Sequence, residues 1–163
     1  MNDLISKISS YEIFNNIIPG AVFAFLLEAL SIFHFETTSI ITDVVLYYFL
    51  GLIVSRIGSL IIDPALQLSG IIEKADYSAF IRASAKDEKI LVLLEFRNLL
   101  RTVFSLLIVT LAAYLWVILT PSFQLSSTTK NILVLSSLAL LFLLSYRKQN
   151  RFITKRVEHH KDL

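Results

Sequence analysis

Leu99–Leu119, LLRTVFSLLIVTLAAYLWVIL, contains no glycine or proline and one charged residue, Arg101, near its start. At about 1.5 Å per residue a helix over this run reaches about 30 Å, the thickness of a hydrocarbon core. The same pattern recurs along the chain. A first apolar run covers 13–35, interrupted by Asn15, Asn16, Pro19, Gly20 and Glu28. A second covers 44–62, with Asp43 placed to cap its start and Asp63-Pro64 marking its end. A fourth covers 129–146, and Thr120-Pro121 closes the third.

Composition agrees. Of 163 residues, 55% are hydrophobic and 17% charged, against about 25% charged in a soluble domain. The mean hydropathy is +0.69. These observations imply an all-α polytopic membrane protein, a bundle of four transmembrane helices in one membrane domain spanning 1–163. The polar N-terminus lacks a small-residue cleavage site, so the first span is expected to be retained. Without cysteine, disulfides, thiol catalysis and thiolate metal sites are excluded.

The segment 64–98 is read as a cytoplasmic helical extension. Ile71, Ile72, Tyr77, Phe80 and Ile81 alternate with charges in a short amphipathic helix. From Lys86 onward the spacing of Ile90, Leu93, Leu94 and Arg97 predicts a helix continuous with the third span. Asp87, Glu88 and Glu95 alternate there with Lys86, Lys89 and Arg97, a spacing that supports an exposed helix.

Cation placement sets the orientation. His34–Asp43 has no Lys or Arg and Thr120–Asn131 has only Lys130. The central segment holds Lys74, Arg82, Lys86, Lys89, Arg97 and Arg101, and the tail 147–163 is basic. Lys- and Arg-rich short loops stay inside, so both ends face the cytoplasm. Tyr47, Tyr48, Tyr114 and Trp116 then sit near the outer interface, and Tyr11, Phe14 and Tyr146 near the inner one.

Two intramembrane charges stand out. Arg56, in the second span, admits three readings: snorkelling or phosphate anchoring at the inner headgroups, an intramembrane ion pair, or a pore or ligand role. Glu28 is the candidate partner, although it falls nearer the outer surface by about 10 Å on the helical rise. Gly51, Ser55, Gly58 and Ser59 form a small-residue face, read as internal packing in preference to a subunit seam. The six central cations form a surface for lipid or a cytoplasmic partner. His34, His159 and His160 make no metal set, and no catalytic group or cofactor site is indicated. The basic tail suits anionic lipid, with no direct nucleic-acid binding expected.

The opening Tyr11–Gly20, YEIFNNIIPG, followed by Gly51 and Arg56 in the second span, resembles small four-span membrane subunits of bacterial antiviral defence systems. The Kiwa-type membrane subunit and CRISPR-associated membrane accessory proteins are of this kind. The resemblance implies an inner-membrane homo-oligomer, with a tetramer the preferred count, working beside a cytoplasmic effector or perturbing membrane integrity. Three functions follow as expectations: a non-enzymatic oligomeric sensor or ion-permeable pore; a structural adaptor that recruits an effector without a pore; and a lipid-modifying enzyme built on Asp63, Glu95, Asn98 and Arg101.

Single cysteines introduced into this cysteine-free chain test the topology. Positions 3, 87 and 160 should resist an impermeant maleimide in sealed, correctly oriented membranes, and positions 36 and 126 should react. External labelling at 87 or 160 would overturn the map.

Overall fold

The computed structural model describes residues 2–36, 39–73, 75–87, 89–119 and 127–161, with side chains from residue 15 onward except those of 127, 130 and 159–161. Lys74, the Thr120-Pro121 terminator, and the side chains of Lys130, His159 and His160 lie outside the described residues. The described fold is all-helical: α1 (Asn2–Ala29), α2 (Ile40–Ile57), a π-turn (Gly58–Ile62), α3 (Asp63–Leu68), α4 (Tyr77–Lys86), α5 (Lys89–Leu119) and α6 (Ser127–Lys161). Three helical stretches are long and apolar enough to cross a membrane: Ile40–Leu68, Lys89–Leu119 and Asn131–Glu158. The apolar part of α1, Asn15–Ala29, is shorter.

α1 and α2 form the tightest pair. A Cβ on Gly20 would overlap the Tyr47 carbonyl oxygen and lie 2.8 Å from the Gly51 nitrogen. A Cβ on Gly51 would overlap the Asn16 carbonyl oxygen and lie 2.7 Å from its carbon. Each glycine therefore admits the other helix's backbone, the contact that small residues allow between apolar helices. The crossing fixes an antiparallel register in which Asn16 faces Gly51 and Gly20 faces Tyr47. Around it, Phe23, Leu27, Val54 and Leu106 form the buried cluster, flanked by Leu26, Ile32, Phe35, Leu50, Val109 and Ala113.

The apolar run 13–35 is not helical throughout, because α1 stops at Ala29. Ser31 adopts φ 54°, and its amide donates to the Glu28 carbonyl at 2.9 Å, while the Ile32 amide donates to the Leu27 carbonyl at 2.8 Å. This is a Schellman ending with serine in the place that glycine usually takes. It turns Ile32 and Phe35 back onto the core. α2 is capped by Ser39 rather than Asp43: the Ser39 hydroxyl accepts from the Thr42 amide at 3.2 Å. Asp43 occupies the first turn, where the helix dipole favours a carboxylate.

Helical structure also continues past Asp63-Pro64. The π-turn carries the chain there, with the Asp63 amide donating to Gly58, five residues back. Pro64 lies in the first turn of α3, where its missing amide costs least. The structure ends that stretch at a second Schellman motif, around Gly70 with φ 74°.

Asp76 starts α4, accepting from the Ser78 hydroxyl, the Ser78 amide at 2.9 Å and the Ala79 amide at 3.2 Å. The Ser78 hydroxyl bond, then the Ala79 amide, hold its carboxyl below the usual range. α4 packs on α5. α5 runs without interruption from Lys89 and buries Thr102, Ser105, Leu106 and Thr110 on one face. α6 meets α2 through stacked rings of Phe49 and Phe142, with centroids 5.9 Å apart.

Replacing Gly20 or Gly51 with leucine should separate α1 from α2 and cost about 3 kcal/mol. Thermal melting in mild detergent reads the loss. An unchanged midpoint for Gly51→Leu would refute the close crossing.

Candidate functional site

The π-turn is where the polar side chains of three helices meet. Gly58 faces α5, and a Cβ there would lie 3.2 Å from Ser105 Cβ and 3.6 Å from Arg101 Cγ. One residue further, Ser59 faces α6: Lys148 Nζ donates to the Ser59 carbonyl at 2.5 Å and to its hydroxyl at 2.8 Å. Asp63, 3% exposed, closes the turn and accepts from Arg97 at 3.0 Å across 34 positions of sequence. The wide turn is what lets neighbouring residues of one helix address two different partners. π-turns of this kind recur at functional sites.

Arg101 anchors the cluster. It feels three charges, those of Asp63, Arg97 and Arg56. Its Nε is buried with no acceptor, and its own carbonyl receives the Ser105 hydroxyl at 2.6 Å. Arg56 is half-buried on α2, one residue short of its end. Of these guanidiniums, that of Arg97 forms the ion pair with Asp63.

The cluster lies at one level of the bundle. At about 1.5 Å per residue, Arg56 is about 24 Å along from Ile40, Arg101 about 27 Å from Leu119, and Lys148 about 26 Å from Asn131. Three separate helices therefore place cations at the same depth, and their direct contacts through Gly58 and Ser59 confirm the alignment. Beyond it, α5 extends back to Lys89 and α6 on to Lys161.

The sequence-derived candidates distribute unevenly over this frame. Gly51 packs on α1, Gly58 on α5, and Ser59 is held by α6, while Ser55 contributes its carbonyl to the Gly58 amide. Arg97 and Arg101 join Arg56 at the cluster. Arg82, Lys86 and Lys89 are exposed on α4 and the start of α5. Glu28 is not part of the cluster: it is exposed at the far end of α1, accepting from the Phe35 amide at 3.3 Å. The antiparallel register puts Glu28 and Arg56 at opposite ends of the α1–α2 pair, so they form no ion pair. Of the four residues considered for a lipid-modifying centre, Asp63 and Arg101 come together, but the Asp63 carboxylate is already engaged by Arg97.

Two contributors were missed from sequence, Gly20 and Lys148. Gly20 sits beside Pro19, which masks its packing role behind that of a helix breaker. Lys148 looks like one more cation of a basic tail. Among the described residues no group of His, Asp or Glu side chains is gathered for a metal ion. No family model, curated protein or solved structure matches the chain.

Arg97→Ala should remove the Arg97 bond from buried Asp63 and lower stability by about 1–3 kcal/mol. Asp63→Asn on that background should restore part of it, giving a coupling of at least about 0.5 kcal/mol in a double-mutant cycle. Strictly additive losses would show that the pair is energetically idle.

Proposed function

We propose that this chain is a non-enzymatic subunit of the bacterial cytoplasmic membrane that reports a membrane state to a cytoplasmic partner. In this reading it crosses the bilayer four times with both ends inside, and assembles with copies of itself, four being the preferred number. The observation that carries the reading is the shared level of Arg56, Arg101 and Lys148. The apolar stretches on one side of that level have the length of a hydrocarbon core, and cations at its edge meet lipid headgroups.

The fourth span in this reading is α1. Its apolar part is short, about 22 Å, but the crossing at Gly20 and Gly51 keeps it beside α2, and such a mismatch is tolerated at modest cost. The parts of α5 and α6 beyond the cation level supply the route to a partner. Val92, Leu93 and Phe96 on α5, and Phe152, Ile153 and Val157 on α6, are exposed there. Exposed apolar groups on segments outside the bilayer call for a protein neighbour. The cations Arg82, Lys86 and Lys89 flank this region and suit an acidic partner surface. The resemblance of the Tyr11–Gly20 opening adds an antiviral defence setting to the proposal.

A sensor is favoured over a pore. Glu28 and Arg56 lie at opposite ends of one helix pair, so within a chain they do not line a common path. Gly51 and Gly58 are covered by α1 and α5, so they are not left to line a lumen.

Proteoliposomes should show ion flux no greater than protein-free vesicles, and native mass spectrometry in mild detergent should show an oligomer. Flux that falls on Arg56 or Glu28 substitution would replace the sensor with a pore. A monomer at every protein-to-detergent ratio, without crosslinks in native membranes, would remove self-assembly from the reading.

A further inference from the structure

We propose that Lys148 docks α6 on the bundle by filling a backbone carbonyl that Pro64 leaves without its own donor, which makes α6 a releasable arm. The inference deepens the sensor reading and rests on its membrane placement, since it names the part that would move.

The Ser59 carbonyl is the starting point. Within a helix it would accept an amide from four or five residues ahead. The amide four ahead, of Asp63, donates to Gly58 instead, in the wider register of the π-turn. The residue five ahead is Pro64, which has no N–H. A backbone oxygen left bare among packed helices is costly, so this one calls for a donor from elsewhere. Lys148 supplies it: its Nζ lies 2.5 Å from the Ser59 carbonyl and 2.8 Å from the Ser59 hydroxyl. A lysine that merely snorkels extends its ammonium to headgroups or water. Lys148 turns inward, onto the backbone of another helix.

The rest of the α6 interface is narrow. Among its described side chains only that of Ser145 is buried, while Leu138, Leu141, Phe142 and Lys148 are half-buried. These five recur three or four residues apart and so form one stripe on one helix face. The stripe packs on α2, where Phe142 stacks on Phe49. The Ser145 hydroxyl donates to the Leu141 carbonyl of its own helix at 2.9 Å. On the other faces Leu135, Leu140 and Leu143 are exposed. In the membrane reading lipid covers those faces whether α6 is docked or released, so the stripe is what docking gains.

Release would travel in two directions. α6 runs unbroken to Lys161, so a displacement at Lys148 carries Phe152, Ile153 and Val157 with it. In the other direction, the Ser59 carbonyl loses its donor, and the π-turn that presents Asp63 to Arg97 loses a brace. One joint thereby links the lipid-covered helix, the tail and the charged cluster.

The cysteine-free chain allows a direct test. Ser145→Cys places a thiol in the docked stripe, and Ser105→Cys places one on α5 against Gly58. In the purified full-length protein in mild detergent, the rate of reaction with N-ethylmaleimide reads how often each thiol is uncovered. Lys148→Met keeps the length of the side chain and removes the donor. It should raise the rate at position 145 at least about tenfold, as expected for a lost hydrogen bond from a charged group. Pro64→Ala returns an amide five residues from Ser59, in the register the π-turn already uses, and frees the carbonyl from its need of α6. It should also raise the rate at position 145, although it removes a helix breaker, and should cut the further effect of Lys148→Met to less than about threefold. The rate at position 105 should change less than about twofold in either variant. An unchanged rate at 145 in Lys148→Met or in Pro64→Ala would overturn the joint, and so would a parallel rise at 105, the mark of general loosening. None of these rates in detergent depends on topology, so external labelling at position 87 would remove the membrane reading and leave the joint standing.

Discussion

The backbone contact between α1 and α2 sets the geometry that the other helices follow. Gly20 and Gly51 bring two helices so close that their relative height has little freedom: a shift of one residue would drive a side chain into a carbonyl. With the height fixed, Phe23 and Leu27 join Val54 and Leu106 in one buried cluster, and α5 packs on both α1 and α2. Close backbone approach of this kind needs small residues at the crossing. Small residues provide it here at Gly51 of α2, toward α1, and at Gly58 of the π-turn, toward α5.

The π-turn then does something a regular helix would not. An α-helix advances each side chain by about 100°, and a π-turn inserts one extra residue into the hydrogen-bonded ring. The residues after it are rotated relative to those before it. Ser59 is thereby presented to Lys148 of α6, and Asp63 to Arg97 of α5, within five residues of Gly58. The same irregularity accommodates Pro64, whose ring and missing amide would disrupt an uninterrupted α-helix. One local departure thus resolves a backbone conflict and assembles the charged cluster.

How much of this was legible depended on the range of the interaction concerned. The all-helical architecture followed from long apolar runs without breakers, and α5 is continuous from Lys89 because nothing in 89–119 competes with the helix. Helix ends were harder. The α1 ending uses Ser31 in a left-handed conformation, and serine gives no compositional sign of it, so the run appeared to continue to Phe35. Asp63-Pro64 looked like a terminator because proline normally is one, and the π-turn that absorbs it leaves no mark in residue type. Arg56 stood out as an isolated cation in an apolar run. Its neighbours, Arg97 and Arg101, are more than forty positions away and had been assigned to an exposed surface by their place among other cations.

Arg97 is indeed exposed and Arg101 half-buried, and their partners show how charge is handled in this bundle. Glu28 and Arg56 are the obvious complement when the first two spans are considered alone, but the register fixed by Gly20 and Gly51 forbids their meeting. Asp63 instead takes Arg97, while Glu28 finishes near the Phe35 amide at the other end. Opposite charges are thus segregated along the bundle, and the end holding Asp63 carries the larger cationic excess. A surplus of this kind held between packed helices differs from one spread over a loop. Arg101 has little room to move away, because its stem passes Gly58 where α5 meets the end of α2. The packing at Gly58 is therefore also what fixes the position of a buried charge, and loosening the helices there would release Arg101 and the α5 contact together.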